Sequence, residues 1–147
     1  MNKLTKTIVF AAFAAFALTT MNAQTEKPNA DKTHRVVFEV TMEGAEQWTA
    51  VLNNVENLKK SLGDATEVEV VAHSRGLGML VAKGNSLAER MKTIADRGVV
   101  FAACENTMKK KHVTKDQLVP FATTTDSGVA EVVRKEEAGW SYIKSGI

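Results

Sequence analysis

The chain has 147 residues, of which 44% are hydrophobic and 24% are charged. That length allows one domain with a substantial core, and that composition excludes bulk disorder. The single cysteine excludes a disulfide within the chain. With 19 Lys and Arg against 17 Asp and Glu, the whole chain is slightly basic.

The first 23 residues predict a cleavable export signal. Two lysines precede an apolar run over residues 8–18, which is too short to cross a bilayer because crossing takes about 20 residues. Small Ala23 marks the expected cleavage site before Gln24. Cleavage there removes 23 of the 147 residues and two of the 19 basic side chains. It leaves 124 residues with 17 basic and 17 acidic side chains, a formally neutral mature chain.

These features predict an exported protein, with the periplasm as its expected location and full secretion as the alternative. A neutral chain with one basic run, at residues 109–111, is not expected to bind nucleic acid. No membrane span is expected in the mature chain. Residues 24–33 are polar and predict a disordered lead-in, which is followed by a single domain over residues 34–147.

Strand and helix patterns alternate along this domain. Strands are predicted over residues 34–40, 67–73, 99–103 (closed by Cys104), 121–125 and 140–144. The third strand is apolar at every position and is therefore expected to be covered on both faces. Five strands alternating with helices predict a three-layer α/β/α sandwich around a mainly parallel five-stranded sheet.

The helices between the strands carry apolar side chains three and four residues apart. The first is predicted over residues 48–62, and the third over residues 106–111. Ser86 and Glu89 form a capping-box pattern at the start of the second helix. The last helix is predicted to turn one apolar face to the core, formed by Val129, Val132 and Val133.

Parallel sheets of this kind place their functional sites at the carboxyl ends of the strands. Polar residues that directly follow the predicted strands are therefore candidates for ligand binding. They are Ser74 after the second strand, Glu105 and Asn106 after the third, and Asp126 after the fourth.

Cys104 is the most informative candidate, because it lies where a buried strand gives way to a helix. Unpaired N–H groups at the helix start would favour the thiolate, and the lysines at 109–111 would add positive potential. A thiolate suits a nucleophile or a sulfur carrier. The alternative is an inert cysteine that packs as a small hydrophobic side chain.

His73 is the candidate proton acceptor for Cys104, at the end of the neighbouring strand. The alternative is a histidine that only hydrogen-bonds to the backbone. A hydrolase or thiol-transferase would require the two side chains to lie within about 4 Å, directly or through a water.

No metal site and no cofactor are predicted. The three histidines and the one cysteine are far apart in sequence, and neither Cys-x-x-Cys nor His-Glu-x-x-His spacing occurs. The glycines at 76 and 78 lack the third glycine of a dinucleotide loop, so they are only a weak sign of phosphate binding.

Four segments resemble the DsrE/DsrF-like family of small sulfur-handling proteins: residues 68–73, 98–108, 127–133 and 139–144. The resemblance implies a three-layer α/β/α fold with a parallel five-stranded sheet, assembled as trimers or hexamers. It also implies that Cys104 carries sulfur as a persulfide between partner proteins. The well-understood carriers are cytoplasmic, however, whereas this chain is expected to be exported.

The leading hypothesis is an exported homo-oligomer that binds or relays sulfur through Cys104, at most with sulfurtransferase-like activity. Its expected partners are a sulfur donor or acceptor protein, or a small thiol. The rival hypothesis is a non-catalytic binding or scaffold module. In that case Cys104 would be merely packed, and residues 77–81 would form subunit contacts.

Overall fold

The computed structural model describes residues 33–145. The predicted export signal, residues 1–23, and residues 24–32 of the predicted lead-in lie outside this range. Within it, no helix is both long enough and apolar enough to cross a membrane.

The described chain alternates strands with helices, in the order that the sequence predicts. The strands are β1 Arg35–Val40, β2 Glu67–Ala72, β3 Val99–Cys104, β4 Thr123–Thr125 and β5 Ser141–Ser145. The α-helices are α1 Ala45–Leu62, α2 Ala88–Ala95, α3 Glu105–Lys111 and α4 Gly128–Glu137. Two 3₁₀ helices, Ser74–Leu80 and Lys115–Gln117, complete the described elements.

The five strands form one sheet in the order β4-β3-β2-β1-β5, and every neighbouring pair is parallel. The prediction of an α/β sandwich around a parallel five-stranded sheet is confirmed. The register places Val40 opposite Ala72, and Ala72 opposite Ala103. The carboxyl ends of the three central strands therefore meet at one edge.

The main core lies on the first face of the sheet, between the strands and helices α1 and α2. Alternate strand residues point to this face, as the two-residue period of a strand requires. Among its fully buried side chains are Phe38, Val70, Phe101, Leu52, Val55 and Met91. The predicted apolar stripe of the first helix, which runs from Trp48 to Leu62, faces this core through Val51, Leu52 and Val55. Its last member, Leu62, is 39% exposed.

The second face of the sheet is covered more thinly, by helix α4. Its core consists of Val37, Val71, Ala102 and Val132, with Trp140 packed against them. Val100 is 41% exposed, so the prediction that the third strand is covered at every position on both faces is wrong. The predicted face of the last helix is also wrong, because only Val132 meets the sheet. Val129 and Val133 are 58% and 47% exposed.

The 3₁₀ helix Ser74–Leu80 belongs to the core. Leu77, Met79 and Leu80 are fully buried within the chain, so the rival prediction of subunit contacts at these positions is wrong. The predicted capping box is absent at the start of α2, which begins after Leu87 without a side-chain cap. Instead the amide of Asn85 donates to the carbonyl oxygens of Met79 and Val81 at 2.8 and 3.1 Å, which ties this connection to the 3₁₀ helix.

Gly76 and Gly78 are packing positions. The Gly76 N–H donates to the carbonyl oxygen of Thr41 at 3.1 Å, which holds the 3₁₀ helix against the end of β1. A Cβ on Gly76 would lie 2.1 Å from the Val40 carbonyl oxygen, whereas a Cβ on Gly78 would lie 3.1 Å from the Trp48 ring. Close backbone approach explains the first glycine without any phosphate ligand.

The substitution Gly76→Ala should therefore lower the free energy of unfolding by more than about 2 kcal/mol, since forcing atoms into a packed site costs roughly 1–3 kcal/mol. Gly78→Ala is the matched control, because the indole of Trp48 can shift and a backbone carbonyl held in a sheet cannot. Urea unfolding of both variants measures the difference. Equal unfolding midpoints would contradict the close contact at Gly76.

Candidate functional site

The register of the sheet brings His73 and Cys104 to the same face and the same edge. Ala72 lies opposite Ala103, so the next residues on the two strands are also neighbours. The side chains alternate along each strand, which turns both of these toward the second face, the side of Val71 and Ala102. The backbones of His73 and Cys104 therefore lie side by side, as the sequence predicts.

Groups that can donate hydrogen bonds lie around the Cys104 sulfur. Cys104 is only 4% exposed and directly precedes α3. Around its sulfur lie the hydroxyl of Thr107 and the backbone N–H groups of Asn106, Thr107 and Gly128. The start of α3 has no side-chain cap, and the Asn106 N–H also donates to the carbonyl oxygen of Asp126 at 3.3 Å, so these groups lie near the sulfur without forming a regular cap. Contacts of this kind tighten when the acceptor carries charge.

This environment favours the thiolate. Burial of Cys104 raises the pKa of its thiol, but the Thr107 hydroxyl and the three backbone N–H groups together outweigh burial and bring the pKa below its usual value. The lysines at 109–111, predicted to contribute, are not among the leading causes. The thiolate is thus favoured by hydrogen-bond donors close to the sulfur, and not by a neighbouring cation.

The Thr107 hydroxyl has a second contact. The backbone N–H of Ser74 donates to Thr107 Oγ1 at 3.1 Å. A hydroxyl can accept a hydrogen bond and still donate its own proton, so this contact leaves the Thr107 hydroxyl able to donate to the nearby Cys104 sulfur. Ser74 has φ 54°, a left-handed conformation that is uncommon outside glycine. A strained residue of this kind persists only where its surroundings hold it in place.

His73 is one of the residues that keep Ser74 in this conformation. Its Nδ1 shares a hydrogen bond with Ser74 Oγ at 3.0 Å, and its Nε2 bonds Glu39 Oε1 at 2.8 Å. Among residues 33–145, no hydrogen bond joins His73 to Cys104. The role of His73 as proton acceptor for Cys104 stays a prediction, and its visible contacts give it a positioning role.

Glu39 fixes the far side of the imidazole. Burial of Glu39 raises the pKa of its carboxyl, but donation from the Tyr142 hydroxyl and from His73 outweighs burial and lowers the pKa. Burial and the same carboxylate raise the pKa of Tyr142 to about 12. Gly128 adjoins the ring as well, since a Cβ there would lie 2.9 Å from the His73 Cβ. Because Gly128 has no side chain, the start of α4 can approach the Cys104 thiol.

The two predicted acidic residues have partners of their own. Glu105 accepts a hydrogen bond from Thr124 at 2.7 Å and pairs with Lys115 at 3.4 Å. Asp126 pairs with Arg134 at 2.6 Å, and its backbone oxygen accepts from the Asn106 N–H at 3.3 Å. Their carboxylates are thus engaged in local contacts, where they help to fix the loops around the thiol.

A cleft of ≈ 480 Å³ lies beside the thiol. Its lining residues are Ser74, Arg75, Asn106, Thr107, Lys110 and Lys111. Asn106 and Thr107 both line the cleft and lie beside the Cys104 sulfur, whereas Cys104 itself does not line it. Of the predicted binding residues, Ser74 and Asn106 line it, whereas Glu105 and Asp126 do not.

Sequence reasoning missed Thr107, Gly128 and Arg75 as site residues. Thr107 stands three residues after Cys104, the spacing at which a side chain returns to the residue before a helix. That spacing was the available signal for Thr107. No comparable signal marks Gly128, because its neighbours on the sheet are set by tertiary packing.

The described residues hold no group of three or more His, Cys, Asp or Glu side chains that could bind a metal ion. Nucleophilic sulfur chemistry is what the arrangement offers, since it combines a small α/β/α sandwich with a donor-lined thiol at the carboxyl edge of its sheet.

The chain belongs to the DsrE/DsrF-like family, which it matches over residues 10–144. Among solved structures, it is similar to MTH1491, a protein of unknown function from Methanobacterium thermoautotrophicum. The two are 31% identical with a TM-score of 0.72, over 76% of this chain and 98% of that one. A comparison with curated proteins gives no match.

Two more distant structures share the fold. They are the conserved protein of unknown function BT1422 from Bacteroides thetaiotaomicron and the ychN protein from E. coli. Each is 10% identical with a TM-score of 0.57. The matches cover 75% and 77% of this chain, and 93% and 99% of the respective neighbours. At this identity the likeness concerns the fold alone.

The Thr107→Val substitution should move the alkylation of Cys104 to higher pH. Valine keeps the β-branched shape and removes the hydroxyl donor, so the pKa of the thiol rises toward the value that burial alone would give. The rate of iodoacetamide labelling against pH measures this shift. Thr107→Ser keeps the hydroxyl and is the control. A pH profile unchanged in Thr107→Val would show that the hydroxyl does not act on the sulfur.

Proposed function

We propose that Cys104 accepts a sulfane sulfur atom, holds it as a persulfide and passes it to a second thiol. The family is generally related to sulfur relay. The observation that carries the proposal for this chain is the set of hydrogen-bond donors around the Cys104 sulfur, which lowers the pKa of the thiol despite burial.

The donor set serves both halves of such a transfer. In the first half, the thiolate attacks the outer sulfur of a donor, a new S–S bond forms, and the donor's leaving group departs with the electrons of the broken bond. In the second half, an acceptor thiolate attacks the outer, protonated sulfur of the persulfide. Cys104 then leaves as a thiolate, and leaving is faster for a thiol of low pKa.

The acceptor must come from another molecule. Cys104 is the only cysteine in the sequence, so a resolving thiol within the chain does not exist. The acceptor is therefore a cysteine of a partner protein or a small thiol. No cofactor takes part in either half of the exchange.

Persulfide formation can be read directly from the intact mass of the purified protein. After incubation with inorganic polysulfide, the protein should gain the mass of one sulfur atom, and dithiothreitol should remove it. The Cys104→Ser variant should gain none. A Cys104 that labels with a thiol probe yet never gains sulfur would contradict the proposal.

The rival function, a scaffold with a structural cysteine, is favoured by one observation, the 4% exposure of Cys104. The two functions differ in what the native thiol does. A structural cysteine should resist alkylation until the protein unfolds, and Cys104→Ala should then leave every measurable activity unchanged. Rapid labelling of the folded protein would rule this function out.

Export remains part of the proposal. It rests on the basic, apolar and small-residue pattern of residues 1–23, with cleavage before Gln24. When the full chain is produced in a bacterium, the periplasmic fraction should contain a protein whose measured mass corresponds to residues 24–147. A full-length protein retained in the cytoplasm would contradict export. A mature protein found only in the medium would indicate full secretion.

The expected trimer or hexamer also stays a prediction. Assembly would cover apolar side chains on the second face that are exposed in the single chain, namely Val100, Val129, Val133 and Tyr142. The molar mass in solution, from light scattering, distinguishes a monomer from either assembly.

A further inference from the structure

The cleft beside Cys104 is lined by cations and by no acid. Arg75, Lys110 and Lys111 carry its positive charge, and its other lining residues, Ser74, Asn106 and Thr107, are uncharged. A neighbouring cleft of ≈ 490 Å³ shares the same three cations and adds one carboxylate, Glu43. The three cations therefore stand between two cavities whose combined lining is strongly positive.

This charge is not cancelled by ion pairs. Within residues 33–145, neither Arg75, Lys110 nor Lys111 makes a salt bridge, whereas Lys115 pairs with Glu105 and Arg134 pairs with Asp126. A concave site with several like charges and few opposing ones concentrates ions of the opposite sign. The cleft is thus suited to a small anion.

We propose that this cleft binds a small anionic sulfane-sulfur donor of the thiosulfate class and presents its terminal sulfur to Cys104. The inference rests on the proposed function of Cys104 as sulfur acceptor. Arg75, Lys110 and Lys111 would hold the anionic end. Cys104 is not itself a lining residue, so the terminal sulfur would reach it past Asn106 and Thr107, which lie beside both the cleft and the sulfur.

The transfer balances without an oxidant or a reductant. The Cys104 thiolate attacks the terminal sulfur of thiosulfate, forming one S–S bond while the bond between the two sulfurs of thiosulfate breaks. Sulfite leaves with that bonding pair and two negative charges, and the persulfide keeps one. The total charge is the same before and after, and no proton is required.

The burial of Cys104 favours a donor of this shape. With 4% of the residue exposed, the sulfur is open only to a narrow group, such as the terminal sulfur of a small molecule or a thiol on an extended segment of a partner. A volume of ≈ 480 Å³ is within the range of small-molecule sites. The leaving sulfite is itself an anion and would be stabilised by the same cations.

Charge selection can be measured without any sulfur transfer. Iodoacetate and iodoacetamide are similar in size, but only the first is an anion. The ratio of their rates at Cys104 should exceed the ratio for free cysteine. It should fall roughly threefold or more in the triple variant Arg75→Ala, Lys110→Ala, Lys111→Ala. Lys109→Ala is the matched control, since Lys109 is on the same helix but lines a different cavity. An unchanged ratio in the triple variant would overturn the proposal.

Binding and transfer are then measured with thiosulfate itself. Thiosulfate should bind the Cys104→Ser protein in calorimetry, more weakly in high salt and in the triple variant, whose fold is checked by circular dichroism. It should also load wild-type Cys104 and release sulfite in equal amount. The calorimetric measurement applies even if neither alkylating reagent reaches the thiol.

The outcomes separate the two proposals. If polysulfide loads Cys104 but thiosulfate neither binds nor loads, the anionic-donor inference is overturned and the sulfur-carrier function stands. If thiosulfate binds the Cys104→Ser protein but no donor loads the wild type, the carrier function is overturned, and the donor assignment with it. If Lys110→Gln alone already weakens binding while Lys109→Gln does not, the inference is supported independently of the triple variant.

Discussion

The polar surroundings of the Cys104 sulfur are the constraint on which this site depends. The Thr107 hydroxyl lies beside the sulfur and accepts a hydrogen bond from the Ser74 N–H. Ser74 is in turn held in a left-handed conformation through His73, which is anchored on Glu39. A continuous set of polar contacts thus runs from the interior of the sheet to a thiol near its edge. Each residue in this set limits the conformations open to the next one, as expected of a buried polar network.

The site separates the stabilisation of the thiolate from the attraction of anions. Backbone N–H groups and one hydroxyl act on the sulfur at close range, whereas Arg75, Lys110 and Lys111 act on the neighbouring cleft. Fixed dipoles require no mobile counter-ion and change little with salt, while cation attraction is screened by salt. The reactivity of the thiol and the capture of a donor can therefore respond differently to ionic conditions.

Much of the fold could be predicted from the sequence, because the spacing of apolar residues reflects a physical period. Runs of β-branched residues explain why the strands were placed correctly and why Cys104 was found at the end of β3, and the three- and four-residue spacing of apolar side chains explains the placement of α1. The predictions that failed concern burial, which depends on how many layers of structure cover each position. Val100 and Val133 are apolar like core residues, yet α4 leaves Val100 on the sheet partly uncovered, and Val133 lies on a side of α4 that is exposed.

The details of the site lay beyond the sequence for a related reason. Whether Ser74 adopts a left-handed conformation is decided by its contacts with His73 and Thr107, not by a local preference of serine. The approach of Gly128 to His73 likewise depends on how α4 crosses the sheet. The capping-box pattern of Ser86 and Glu89 was overridden because Asn85 bonds to the 3₁₀ helix instead. Tertiary contacts chose among several locally acceptable conformations.

The 3₁₀ helix after β2 has a consequence for the energetics of binding. The segment that presents Ser74 and Arg75 also contributes Leu77, Met79 and Leu80 to the core, and Gly76 joins it to the end of β1. It cannot swing outward without opening the core, so its local opening should cost nearly as much free energy as global unfolding. A ligand entering the cleft therefore meets a wall that is already ordered. Little of its binding free energy is lost to arranging the protein.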